Sequence, residues 1–241
     1  QLIDAVKSGK YDPHKVALLI TQTGGGCRAS NYIHLLRKAL VKAGLEFIPV
    51  ISLNLSGLEQ NPGFKLNLEI IRKAIFGLMY GDIIVQSANQ VRPYEVEAGQ
   101  TDRTIEEMES HLLEEMDKGK GLSFKSMVEN FDHIVAAFKA IPVAGEPKVR
   151  VGVVGEIYIK YSPLGNNNLE QFLLSEGAEP VVPGLTDFII FKIYNREVDV
   201  DIYGGKWAKK TACAAFRHYV EKCQRAMIDA MKRGGFRAPG T

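Results

Sequence analysis

The sequence has few cysteines, no long apolar run and almost no net charge. Its three cysteines, Cys27, Cys213 and Cys223, include no CxxC pair, so a disulfide framework is excluded and a reducing cytoplasm is the expected compartment. No apolar run approaches the ~18 residues of a membrane span, which excludes a membrane protein. With 30 Lys and Arg against 28 Asp and Glu, bulk charge predicts neither a nucleic-acid partner nor an anionic membrane partner.

What the chain does contain is a globular composition, with 46% hydrophobic residues in 241 positions. That length predicts one large domain or two small ones. The chain begins with Gln1 and stops at Thr241, and we expect it to be an excised piece of a longer protein.

The amino-terminal part follows a strand, loop, helix, strand order. Residues 15–21 form a short apolar run, residues 29–43 carry apolar residues at helical spacing, and residues 47–53 are the next predicted strand. Such a unit implies parallel strands joined by a right-handed crossover. Helices are predicted at 66–80, with a less certain continuation to 85, and at 101–118 and 123–140, as a peripheral layer in which Ser123 is a candidate cap.

A second unit with the same order is predicted after a Pro- and Gly-containing stretch at 141–148. Its elements are a strand at 149–159, a helix at 168–175, a second strand at 178–182 and a long helix at 206–233. The predicted fold is therefore α/β, with two Rossmann-like units of parallel sheet and flanking helices. The predicted domains are 1–145, with inserted helices, and 146–241, truncated at its carboxyl end.

The first candidate site is the turn Thr23-Gly-Gly-Gly-Cys-Arg-Ala-Ser-Asn-Tyr32, between the first strand and the first helix. Ligands of open α/β sheets bind there, because backbone N–H groups and the helix dipole converge. The glycines allow close backbone approach, and Arg28 and the helix amino terminus favour the Cys27 thiolate. Candidate ligand-binding residues are Gly24, Gly25, Gly26, Arg28, Ser30 and Asn31, and the candidate metal ligand is Cys27.

Known glycine-loop motifs fit this turn poorly. Gly24, Gly26 and Ala29 match the GxGxxA dinucleotide pattern, but no acidic residue follows about 20 positions later, and no Gly-Lys-Ser or Gly-Lys-Thr completes a P-loop. Cys27 as a small residue filling a tight turn remains the structural alternative.

The second candidate site combines residues 155–158 with residues 163–168, after the first strand of the second unit. Glu156 at this strand end is the candidate catalytic residue, as a proton carrier or hydrogen-bond acceptor. Asn167 and Asn168 are expected to cap the following helix. Cys213 and Cys223, ten residues apart on one helix, do not share a face and are expected to be buried structural thiols.

The chain resembles the D-component family of 2-hydroxyglutaryl-CoA dehydratase, in the form found in large bacterial CoA-substrate-specific enzyme activase proteins. The motifs that carry the resemblance are TGGGCRASNY, LLRKALVKAG, FIPVISLN, VRPYEVEAG, VGVVGEIYIKYSPLGNNNLEQFLLSEGAE and VPGLTDF. The resemblance implies an iron-sulfur protein, with a cubane 4Fe-4S cluster held by cysteines between Rossmann-like domains. Cys27 matches the family cysteine of the glycine turn, and the family's other ligand cysteines are expected outside residues 1–241.

The resemblance further implies ATP-dependent, low-potential electron transfer or dehydration of a 2-hydroxyacyl-CoA. Expected partners are an ATP-dependent activator domain or subunit and an acyl-CoA substrate, and a homodimer is among the expected assemblies. The iron-sulfur cluster is expected in the full-length parent and not in this chain alone. Two alternatives stay open: a non-catalytic docking or scaffold module of a large activator protein, and a nucleotide- or CoA-binding domain.

Overall fold

This computed structural model describes residues 2–22, 28–53 and 67–238. The chain divides into two compact units, Gln1–Asn67 and Leu68–Thr241. The boundary predicted at 145/146 falls inside the second unit.

The first unit is a small α/β arrangement. It contains α1 (Leu2–Lys7), β1 (Leu18–Thr21), α2 (Tyr32–Lys42) and β2 (Val50–Leu53). The two strands are parallel, with Leu18 opposite Val50 and Thr21 opposite Leu53, as the strand, helix, strand order predicts. A small core contains the buried residues Val6, Leu18, Leu40 and Ile48.

The second unit begins with three helices, α3 (Leu68–Val91), α4 (Gln100–Asp117) and α5 (Phe124–Lys139). It continues through β3 (Arg150–Gly152), α6 (Ile157–Tyr161), α7 (Pro163–Asn166), α8 (Leu169–Ser175) and β4 (Glu179–Val181), and ends with α9 (Leu185–Tyr203) and α10 (Trp207–Gly234). Strands β3 and β4 are parallel, with Arg150 opposite Glu179. The Ser123 cap is confirmed, because its hydroxyl accepts the Ser126 N–H at 3.0 Å.

The prediction of two Rossmann-like units is wrong. Helices dominate the described residues, and each of their two sheets has only two strands, of three or four residues. The helices predicted as a peripheral layer instead form the main core, with α10. Its fully buried side chains include Phe76, Met79, Phe131, Phe138, Met227 and Met231. The apolar side chains of these helices therefore pack against one another, and not against the wide sheet that a Rossmann-like fold would contain.

The predicted strand at 149–159 is also wrong beyond Gly152. The chain leaves the strand, Gly155 adopts a φ of 142°, and α6 begins at Ile157. Glu156 caps this helix, because its carboxylate accepts the N–H groups of Tyr158 and Ile159 at the start of α6. Within the described residues, no helix has both the length and the apolar character needed to cross a membrane.

Candidate functional site

The glycine turn of the first candidate site is anchored on both sides by one buried amide. Gln22, which directly follows β1, donates from Nε2 to the Ser30 carbonyl at 2.9 Å. Its Oε1 accepts the Ser52 hydroxyl at 2.8 Å. The carboxyl ends of both strands and the approach to α2 are thereby tied together. Gly24, Gly25, Gly26 and Cys27 lie outside the described residues.

The residues after the turn form a short 3₁₀ helix, Arg28–Asn31, that leads into α2. Arg28 and Asn31 are exposed and Ser30 is half-buried. Asn31 occupies the N-cap position of α2, and its side chain makes no capping hydrogen bond. The predicted ligand-binding roles of these three residues stay predictions. Arg28 and Asn31 are exposed at the amino end of an 11-residue helix, a position that suits the binding of an anionic group.

The second candidate site is a series of helix caps. The exposed Glu156 accepts from the N–H of Tyr158 at 3.1 Å, and Asn166 Oδ1 accepts the Leu169 N–H at 3.1 Å. Asn167 and Asn168 both have left-handed backbones, with φ of 56° and 55°, which asparagine tolerates better than most residues. Glu156 therefore has a structural role here, and its catalytic role stays a prediction.

A buried carboxylate that the motif analysis missed lies at Glu179 of β4. Glu179 is 2% exposed, and its Oε2 accepts the Tyr94 hydroxyl at 2.8 Å. Its Oε1 pairs with the Arg237 guanidinium. The Tyr94 oxygen in turn accepts the Lys148 N–H at 3.0 Å. Because a buried charge is costly without partners, this network fixes the geometry around β4.

The VRPYEVEAG motif supplies other structural contacts around Tyr94. Arg92 pairs with Asp102 of α4 at 2.6 Å. Glu95 accepts the N–H groups of Gly99 and Thr101, both at 2.7 Å, and so caps α4. Burial alone would raise the pKa of Glu95, but these hydrogen bonds outweigh it and the pKa is lowered. Sequence spacing gives no sign of these roles, because their partners lie on other elements or across a turn.

A second buried carboxylate holds the start of α9. Asp82 of α3 accepts the N–H groups of Leu185 and Thr186, both at 2.8 Å. Burial raises the pKa of Asp82, although its hydrogen bonds with Thr186 and Leu185 act the other way. Gly184 allows this approach, since a Cβ there would lie 2.6 Å from Asp82 Oδ2. Burial and the nearby Asp82 carboxylate also raise the pKa of Tyr161 to about 12.

Neither described cysteine belongs to a group of three or more potential metal ligands within the described residues. Cys223 is fully buried in the helical core, and burial raises the pKa of its thiol. Cys213 lies ten residues earlier on α10 and is half-buried. Within residues 2–22, 28–53 and 67–238, no three His, Cys, Asp or Glu side chains are grouped so that they could hold a metal ion. These residues therefore do not fit an iron-sulfur cluster, which takes several thiolates.

Comparison of the chain with protein-family models, with curated proteins and with solved structures found no match. The family resemblance thus depends on the sequence motifs, and the candidate sites depend on the geometry described above.

Proposed function

We propose that the chain is a module similar to the dehydratase D component, and that it takes part in ATP-dependent low-potential electron transfer or 2-hydroxyacyl-CoA dehydration. The observation that supports this is the parallel β1–α2–β2 unit, in which the Gln22 amide joins the end of β1 to Ser30 before α2 and to Ser52 of β2. Ligand binding at the carboxyl ends of parallel strands is a general property of α/β units.

Each candidate residue has a role in this proposal. Gly24, Gly25 and Gly26 allow a ligand to approach the backbone, and Arg28 and Asn31 offer polar groups at the start of α2. Cys27 is a cluster ligand in a longer protein. The resemblance implies that the remaining thiolates come from outside these 241 residues.

The proposed partners follow from the same resemblance. They are an ATP-dependent activator domain or subunit in the cytoplasm and an acyl-CoA substrate. Glu156 is exposed at the start of α6, after β3, where its carboxylate could accept a proton or a hydrogen bond from a bound ligand. Any such role competes with the capping of α6, because the same Oε2 accepts two backbone N–H groups.

The test compares Cys27→Ser with Cys213→Ser in the full-length protein, purified without oxygen. We expect Cys27→Ser to lose iron, sulfide and ATP-dependent electron uptake. Cys213→Ser should keep all three, because Cys213 belongs to no group of three or more potential metal ligands among the described residues. Iron and sulfide are measured chemically, and electron uptake by electron paramagnetic resonance. Full cluster content in Cys27→Ser would refute the ligand assignment.

A non-catalytic docking module is the second candidate. It is favoured by the absence of a metal-binding group from the described residues. A colourless wild-type protein, purified without oxygen, that still binds the ATP-dependent activator would select this alternative and exclude the electron-transfer role.

A further inference from the structure

The last two long helices form an antiparallel hairpin. Helices α9 and α10 are joined by the short turn at 204–206 and held together by charged pairs. Arg217 of α10 bonds Glu197 of α9 at 2.7 Å, and Lys210 pairs with Asp201. These pairs mark the side on which each helix contacts the other.

One side of this hairpin carries two rows of uncharged side chains. Positions three and four apart lie on one side of a helix. The α9 row has spacings of three, four and four, and the α10 row has spacings of four, three and four. The outer face is defined by these rows: Phe191, Tyr194, Val198 and Ile202 on α9, and Trp207, Thr211, Ala214 and His218 on α10.

Both rows lie on the side of the hairpin that points away from the core. On standard helix geometry each row is about a quarter turn from the side marked by the charged pairs. Both rows are displaced in the same rotational sense along their own helix, and the helices are antiparallel. The two rows therefore lie on the same side of the hairpin. The core-facing residues, among them Ile193 and Val220, lie on the opposite side. The two rows flank the charged pairs, with the Arg217 guanidinium 5.6 Å from the centre of the Tyr194 ring.

The large residues of the outer face are exposed. Phe191 is 54% exposed, Ile202 is 66% exposed and Trp207 is 76% exposed. From typical side-chain areas, the exposed large residues supply about 500 Å², and the smaller residues between them bring the face to about 800 Å². That is roughly the area that each partner buries in a stable protein interface of standard size.

We propose that the outer face is the contact surface between two copies of this chain. Neither row contains Lys, Arg, Asp or Glu, so face-to-face contact of two copies brings no like charges together within the rows. The α9 row carries mainly large side chains, whereas Thr211 and Ala214 are small. The α9 row of one copy can therefore pack over the small residues of the other copy, and the two hairpins form a four-helix arrangement.

This proposal does not depend on the proposed function, since it uses only the hairpin geometry. A lipid surface fits the face less well, because the membrane-facing side of a surface-bound helix is apolar, whereas the α10 row includes Thr211 and His218.

The test is sedimentation equilibrium of the full chain over a micromolar concentration range. We expect wild type to dimerise, and Phe191→Asp to raise the dimer dissociation constant about 30-fold or more, because it replaces a large, exposed apolar residue of the contact with a charge. Thr211→Trp places a large side chain where the α9 row of the other copy would pack, and it should also raise the dimer dissociation constant. Phe172→Asp on α8 is the matched control, since Phe172 is 57% exposed but lies off the face.

Three outcomes would overturn the proposal: a wild-type chain that is monomeric throughout, a dimer that survives Phe191→Asp and Thr211→Trp, or equal weakening by Phe172→Asp. Circular dichroism confirms that each variant is folded. Binding of a monomeric chain to phosphatidylcholine and phosphatidylglycerol vesicles, lost in Phe191→Asp, would assign the face to a membrane surface instead.

Discussion

Replacing Gly234 with alanine should destabilise the second unit, although the same change normally stabilises a helix. Gly234 is the last residue of α10 and packs against Val135 of α5. A Cβ at this position would lie 2.0 Å from Val135 Cγ1, far inside the ~3.5–4.0 Å separation of carbon atoms in contact. Val135 is buried and cannot turn into solvent, so the two helices must separate locally.

The magnitude follows from two opposing effects. Overpacking a close-packed site costs about 1–3 kcal/mol, whereas glycine to alanine inside a helix gains up to about 1 kcal/mol. We expect Gly234→Ala to lower the free energy of unfolding by about 1–2 kcal/mol. Gly77 of α3 is the control, because a Cβ there meets no atom within 4 Å, and Gly77→Ala should stabilise by about 0.5–1 kcal/mol.

The assay is urea denaturation followed by far-ultraviolet circular dichroism, which reports mainly on the helical second unit. Val135→Ala removes the clashing methyl groups, so the double variant with Gly234→Ala should be more stable than the two single changes predict by addition, by 1 kcal/mol or more. The reasoning is refuted if Gly234→Ala is as stable as wild type, or if the two changes add without coupling.

Three further predictions concern titration, thiols and metal. Burial raises the pKa of Asp82 in the folded state above the ordinary value of 3.8, so its contribution to stability is complete below that pH and is lost as pH rises through the folded pKa. In Asp82→Asn, the free energy of unfolding, measured by urea denaturation at a series of acidic pH values, should therefore fall less steeply as pH rises. The same dependence on pH as in wild type would show that Asp82 is not the group responsible. Cys27, which is next to the exposed Arg28, should react with iodoacetamide faster than either Cys213 or the buried Cys223. Peptide mass mapping measures the three rates. If Cys27 is the slowest of the three, it is no longer a candidate ligand. The 241-residue chain should keep its melting temperature in the presence of a chelator, because its helical core is large enough to fold without metal, and a large fall would show that metal supports the fold.

Local patterns predicted the order of elements better than they predicted the core. The parallel pairing of β1 with β2 follows from the short crossover between them, and helical spacing located α4, α5 and α10 to within a few residues. The number of strands in each sheet could not be predicted from local patterns, because it depends on packing between segments that are far apart in the sequence.

One helix that the sequence analysis did not predict and one wrong strand have identifiable causes. Helix α9 is rich in β-branched and aromatic residues, which favour strands, and its start is held by Asp82, about a hundred residues earlier in the chain. The strand predicted through residue 159 failed because Glu156 caps α6, a role that glutamate seldom takes. At the candidate site, the polar residues around the glycine turn could be predicted from position alone, but the linking role of Gln22 could not.

The hydrogen bonds of Arg237 have a consequence for the order in which the chain folds during synthesis. Gln90 of α3 donates to the Arg237 carbonyl at 3.0 Å and accepts its N–H at 2.8 Å, while the Arg237 side chain pairs with the buried Glu179. These contacts join residues up to 147 positions apart. Because synthesis proceeds from the amino terminus, α3 and β4 leave the ribosome well before their partner does, and Glu179 lacks its countercharge until then. The second unit can therefore reach its final packing only after Arg237 has left the ribosome.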